Sequence, residues 1–193
     1  MRVAYFTDTF LQQINGVTNT LARIREYLAA NQVPHLFFAP DYNNNNHDDA
    51  LSPSSVWRFK SFSLPLYPEC RLSLPFYAHL CKRPDLIHLI TPFGIGLAGL
   101  KYARQRNLPV VSSFHTNFDA YLKYYHLDHL EEAVWNYFRW FHSFCQINFC
   151  PSQATLEALQ QRDLSNLRIW SRGIDTSKYR DNRRVLPLNR QRG

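Results

Sequence analysis

Short, almost wholly apolar runs alternate along this chain with longer stretches whose apolar residues return every three or four positions. A chain patterned this way buries itself most readily as a parallel sheet flanked by helices. Residues 1–7 (MRVAYFT), 35–39 (HLFFA), 85–90 (DLIHLI), 109–114 (PVVSSF), 146–150 (QINFC) and 167–170 (LRIW) read as strands. Residues 17–31, 93–107 and 152–161 read as helices, and the aromatic-rich segment 118–144 reads as two more. In the first helical stretch Leu21, Ile24 and Leu28 form the packing face, with Arg23, Arg25 and Glu26 directed outward. Ser152 is placed as the N-cap of the last helix, with Glu157 too far along to complete a capping box. The expected fold is α/β, a Rossmann-like, doubly wound and mostly parallel sheet.

Residues 43–49 (NNNNHDD) are polar and of low complexity, and Pro53, Pro65, Pro68 and Pro75 punctuate the residues after them, so the pattern lapses there into an irregular excursion. Within it, residues 56–59 are read as a short strand and 72–81 as a helix.

Composition narrows the class. With 193 residues, 45% of them hydrophobic and 15% aromatic, the chain has the material for one substantial core. The formal charge of +7 is unevenly placed: residues through Gln161 carry a net +1, and those from Arg162 onward +6. A neutral body gives no electrostatic footprint for nucleic acid. The stretch 180–193, with Arg183, Arg184, Arg190 and Arg192, reads as a basic, disordered tail, with phosphate or anionic membrane lipid as its alternative contact. No apolar run reaches the length of a bilayer span, and Asp8 interrupts the place where a signal peptide would be apolar. A cytoplasmic location is expected, with peripheral contact at the inner face of the cell membrane as an extension of that reading. Cys70, Cys81, Cys145 and Cys150 show neither a CxxC pair nor zinc-finger spacing, and are read as free, mostly buried thiols.

In a doubly wound sheet, ligands bind in the crevice outside the carboxyl ends of the strands. Two segments are expected there. The loop 7–17 (TDTFLQQINGV) brings Gly16 to a helix start, where backbone amides and the macrodipole favour a phosphate, although an ordinary βα turn reads equally well. His115 ends the strand 109–114 and points toward the same crevice. Gly94, Gly96 and Gly99 match GxGxxG literally, but they follow an internal strand and no acidic residue ends the next one. They are read as helix-to-sheet packing residues, with a nicotinamide site as the alternative. His126, His129 and His142 are read as solvated or packing residues, with a metal site the lesser reading. Glu131 and Glu132 face about 100° apart on a helix, a surface arrangement and a poor acid/base pair. Neither a GxSxG elbow nor a local signature of a catalytic cysteine is present.

Taken in order, FTDTF, INGVTNTL, ITPFGIGLAGLKYAR, SSFHTNFDAYLKYY, CPSQATLEAL and SRGID resemble the retaining glycosyltransferases of family 4, the group 1 transferases. The likeness runs from residue 1 to about 179 and leans toward bacterial GDP-mannose-dependent mannosyltransferases and glycolipid-forming enzymes. The resemblance implies a GT-B architecture of two Rossmann-like domains, donor held mainly by the second and acceptor by the first. Residues 1–179 would be the first of these, with SRGID near the crossover and no counterpart of the second domain in this sequence. It implies transfer of a sugar from a nucleotide-sugar donor, GDP-mannose or a UDP-sugar, to an acceptor hydroxyl with retention of configuration and without a metal or other cofactor. By motif, Gly16 and Asn15 would lie at the donor diphosphate, His115 beside the transferred sugar as the catalytic residue, and Asp8 along the cleft. Tyr121, Lys123 and Tyr124 would be acceptor-side candidates. Arg172 and Lys178 do not match the family's basic pair. An unpaired first domain would be inactive or nearly so, and its exposed cleft face would favour self-association or a partner chain. Two other functions stay open on residues alone: a non-catalytic acceptor- or lipid-binding module, and a nicotinamide enzyme.

Overall fold

The computed structural model describes residues 1–10, 16–41, 56–64, 67–73, 83–115 and 128–171. These form an eight-stranded sheet with helices on both faces. The strands are β1 (Val3–Phe6), β2 (His35–Asp41), β3 (Val56–Leu64), β4 (Tyr67–Ser73), β5 (Leu86–Leu89), β6 (Val110–Ser113), β7 (Ile147–Cys150) and β8 (Leu167–Ile169). The helices are α1 (Gly16–Ala30), α2 (Gly94–Arg106), α3 (Glu131–Ser143), preceded by a 3₁₀ turn at Asp128–Leu130, and α4 (Gln153–Gln160). Strand order is β4-β3-β2-β1-β5-β6-β7-β8, and every neighbouring pair is parallel except β3 and β4.

β1 lies at the centre because its residues can be buried on both sides: Val3, Ala4, Tyr5 and Phe6 all have less than a tenth of their surface exposed. Alternation along the strand sends them to two separate cores. Ala4 and Phe6 join Phe38, Leu89, Ile95, Leu100 and Phe141 on the face covered by α2 and α3. Val3 and Tyr5 join Phe37, Leu21 and Leu28 beneath α1. Stacked rings run across the strands on each side, Phe6 on Phe38 at 4.4 Å and Tyr5 on Phe37 at 4.8 Å.

Three details depart from the sequence reading. Residues 56–59 extend to a nine-residue strand, and Leu72 and Ser73, expected in a helix, belong to antiparallel β4. β4 closes the sheet at its edge, where Pro68 is tolerated because an edge strand has one side without a ladder to complete. The remaining residues of the expected 72–81 helix lie outside the described residues. Arg25, expected to face outward, is buried at 4% exposure. It stands four residues after Leu21 and three before Leu28, and helical angle, not charge, decides which face a residue joins. A long aliphatic stem makes such a position tolerable to arginine.

Ser152 caps α4 as expected, its hydroxyl accepting from the Thr155 N–H at 3.2 Å. Glu131 pairs with Arg162 and Glu132 with Arg139, each at 2.6 Å, in keeping with a helix-surface role. Cys145 and Cys150 are free and buried. Among the described residues, no helix is long and apolar enough to cross a membrane.

Candidate functional site

The chain leaves β1 through α1 toward β2 and leaves β5 through α2 toward β6, so the two connections diverge onto opposite faces of the sheet. β1 and β5 are neighbours, and the point where the order reverses lies between them. That divergence opens a crevice at the carboxyl ends of the strands.

Asp8, the second residue after β1, occupies this point. Expected to line the cleft, it is instead completely buried. Its Oδ1 accepts from the Ile95 N–H at 2.7 Å. Its Oδ2 accepts from the Thr91 hydroxyl at 2.6 Å and from the Gly96 N–H at 3.4 Å, while its own N–H donates to Thr91 Oγ1 at 2.7 Å. Phe93, the N-cap residue of α2, supplies no side-chain cap, so a carboxylate from the loop after β1 does that work across the switch point. Burial pushes the Asp8 pKa up to about 6 against these hydrogen bonds, which pull it down. Tyr137 braces the same loop from α3, its hydroxyl donating to the Pro92 carbonyl. Its pKa is pushed to about 12, first by burial and then by the Asp8 charge.

This arrangement settles the role of the glycine-rich run. A Cβ on Gly96 would collide with the Thr91 carbonyl. On Gly99 it would sit 2.5 Å from Phe6 Cγ, and on Gly94 2.7 Å from the Ser73 carbonyl oxygen. All three glycines admit the chain's own backbone and side chains, as helix-to-sheet packing requires, and the Ile95 and Gly96 amides already serve Asp8.

The start of α1 differs. Gly16 is its first residue and is exposed, and the first turn carries no acidic residue to offset the macrodipole. Asn15 lies outside the described residues, as do Tyr121, Lys123, Tyr124, Arg172 and Lys178. His115 follows β6 by two residues and is half-buried. Strand alternation puts it on the face of Ser113, which holds His88 Nε2 at 2.6 Å. The His88 ring lies 5.3 Å from Tyr5, 5.9 Å from Phe149 and 5.8 Å from Trp170. Burial first, and the charge of His115 second, lower its pKa to about 3, which keeps it neutral and sets His115 close by. Gly16 and His115 therefore rise from the same face of the sheet, after strands two positions apart, or about 10 Å at the usual strand spacing.

Sequence reasoning missed Thr91, Tyr137 and His88. The signal for the first was a hydroxyl residue just after an apolar strand. For His88 it was a polar residue in the middle of an otherwise apolar run. Tyr137 is one aromatic among many and carried none. The other histidines do not come together. His129 is exposed in the 3₁₀ turn before α3, and His126 lies outside the described residues. His142 is buried near the end of α3, with Nδ1 2.8 Å from Ser112 Oγ and 3.0 Å from Asn148 Oδ1. Among the described residues, no group of three metal-ligating side chains converges.

Comparison with known proteins adds a second line of evidence. The model of Glycosyltransferase Family 4 matches residues 14–178. A GDP-mannose-dependent alpha-mannosyltransferase of Corynebacterium glutamicum is 29% identical over 202 residues, covering 98% of this chain and 47% of the relative. The enzyme of the same name from Mycobacterium tuberculosis is 28% identical, covering 99% and 52%. An alpha-monoglucosyldiacylglycerol synthase of Streptococcus pneumoniae is 25% identical over 130 residues, or 64% of this chain and 29% of the relative. Among solved structures, sucrose-phosphate synthase from Thermosynechococcus elongatus superimposes with a TM-score of 0.63 at 16% identity, covering 92% of this chain and 49% of that one. This last likeness supports the Rossmann-like fold. The chain spans about half the length of the mannosyltransferases it matches.

Proposed function

From the premise that this chain belongs to glycosyltransferase family 4, we propose that it forms the acceptor-side wall of a GT-B enzyme. That enzyme transfers a sugar, with retention, from GDP-mannose or a UDP-sugar to a hydroxyl of a sugar or lipid acceptor. The observation that carries the reading is the family match over residues 14–178, which spans both Gly16 and His115. Their shared face and their position at the carboxyl ends of β1 and β6 agree with it, as do two mannosyltransferase relatives that cover nearly the whole chain.

In this mechanism the exposed start of α1 at Gly16, with Asn15 before it, receives the donor diphosphate. There the backbone amides and macrodipole offset the charge that develops as the phosphate leaves. His115 stands beside the transferred sugar, close enough to hydrogen-bond it while the acceptor hydroxyl attacks from the same side as the departing phosphate. His88, kept neutral by burial, supports the His115 segment through Ser113 without adding a competing charge. Asp8 acts at one remove, by fixing Thr91 and the first turn of α2 beside the crevice. Tyr121, Lys123 and Tyr124 contribute on the acceptor side, and no metal is required because the leaving charge is met by fixed donors. The fixed donors of the opposite domain belong to the same transition state, so residues 1–193 alone work at least about 100-fold more slowly than a complete enzyme.

Calorimetric titration with GDP- and UDP-sugars tests the site. Saturable binding that Gly16→Val abolishes and His115→Ala weakens is the expected result. Binding indifferent to both changes would reject these assignments, and turnover by this chain at the rate of a complete mannosyltransferase would reject the half-site reading.

A further inference from the structure

Away from the crevice, on the outer helical layer, an open groove of about 500 Å³ runs between α2 and α3. Leu97, Leu100, Lys101, Arg104 and Gln105 form one wall and Trp140 the other. The α2 members are three and four residues apart and so share one side of the helix. Leu100 is the buried floor, whereas Leu97 and Trp140 leave 39% and 45% of their surface exposed, high values for side chains of that size. The rim is cationic. Arg104 Cζ lies over the Phe144 ring, 4.2 Å from its centroid, and Phe144 meets Trp140 edge-on at 5.5 Å, so the guanidinium is held at the groove's margin. Among the described residues, none that lines the groove is acidic, and α2 carries Lys101, Arg104 and Arg106 with no acid along its length.

An exposed tryptophan and leucine between fixed cations match one environment in particular, the boundary of an anionic bilayer. There indole and aliphatic groups enter the headgroup layer and cations meet lipid phosphates. A protein partner would need an acidic rim around an apolar wedge of matching shape, whereas a lipid surface supplies both chemistries at any position. We propose that the α2–α3 groove docks this protein on an anionic lipid bilayer, Trp140 and Leu97 entering the interfacial layer and Lys101 and Arg104 pairing with lipid phosphates. The proposal stands apart from the catalytic reading, since no groove residue belongs to the crevice. It also rests on no residue of the basic stretch 180–193.

Co-sedimentation of the full chain with vesicles of mixed neutral and anionic phospholipid tests it, with purely neutral vesicles as the baseline. Lys101→Gln with Arg104→Gln is expected to lower partitioning roughly 25-fold, about fivefold for each cation. Lys101→Gln alone, which leaves the Arg104–Phe144 contact intact, is expected to account for about fivefold of this. Acyl-brominated lipid should quench the intrinsic fluorescence, and Trp140→Phe should remove that quenching. Both effects should persist when Arg183, Arg184, Arg190 and Arg192 are changed to Gln. Equal partitioning of the wild-type and doubly substituted chains would overturn the proposal, as would quenching that survives Trp140→Phe or a lack of retention by anionic vesicles. Self-association abolished by the same substitutions, without vesicle binding, would assign the groove to a second copy and overturn it equally.

Discussion

At the scale of single residues, this chain depends on side chains that are absent as much as on those present. Alanine at an exposed helical glycine gains up to about 1 kcal/mol of helix propensity. At Gly99 that gain competes with a Cβ placed against Phe6 and Leu89, both fully packed. Overpacking of this kind costs about 1–3 kcal/mol, so the clash wins. Gly99→Ala should lower the urea midpoint, and Gly96→Ala, which meets Thr91 backbone that has no freedom to rotate aside, should lower it further. A dinucleotide-binding role would predict the opposite pattern, with lost cofactor affinity and little change in stability. The buried His142 shows the same dependence on context. Ser112 donates to Asn148 Oδ1 at 2.6 Å, which leaves His142 Nδ1 as a donor and Nε2 as a buried lone pair among aromatic rings. Nothing in the spacing of the eight histidines distinguishes this one from a ligand.

Among the elements, the helices end in ways that sequence rules partly capture. Ser152 before α4 was legible because serine ahead of an amphipathic run is a cap by chemistry alone. The cap of α2 was not, since it comes from Asp8, 87 residues before Ile95. After α1, Gln32 takes a left-handed φ of 52°, where its N–H reaches the Ala29 carbonyl and that of Val33 reaches Leu28. Glycine is the usual occupant of such a position, and a residue with a Cβ gives up about 1 kcal/mol there. Gln32→Gly should therefore raise stability only slightly, by up to about 0.5 kcal/mol, the result of that relief set against the greater freedom of glycine in the unfolded chain. A higher urea midpoint at unchanged slope would show it. β3 and β4 were the elements least legible in sequence. As an edge hairpin of aromatic, charged and proline residues, they lack the unbroken apolar run that marks a strand buried on both faces.

At the scale of the molecule, three buried groups among the described residues shape the response to acid, and they do not all act in one direction. His88 and His142 have folded pKa values lowered to about 3 and about 4, so unfolding takes up their protons and stability falls as pH drops below about 6.5. Asp8, raised to about 6, holds its proton more tightly in the folded chain, so its contribution falls as pH rises from about 4 to about 6. Near pH 5 the two histidines outweigh the aspartate, leaving a net uptake of protons on unfolding, so stability falls on acidification. Asp8→Asn removes the opposing term, and its slope should steepen. Equal slopes in denaturant titrations across this range would show that Asp8 does not hold a proton in the fold. By itself the sequence determined the alternation of strand and helix, the apolar run that becomes β1, the N-cap of α4 and the family, because each is written in local periodicity or in the order of motifs. Tertiary structure alone decided that Asp8 caps α2 instead of lining the cleft, that Arg25 is buried, that His88 stands neutral beside His115, and that Trp140 and Arg104 share a groove. Each of these depends on which strands become neighbours, and pairings between residues far apart in the chain leave no trace in the local pattern.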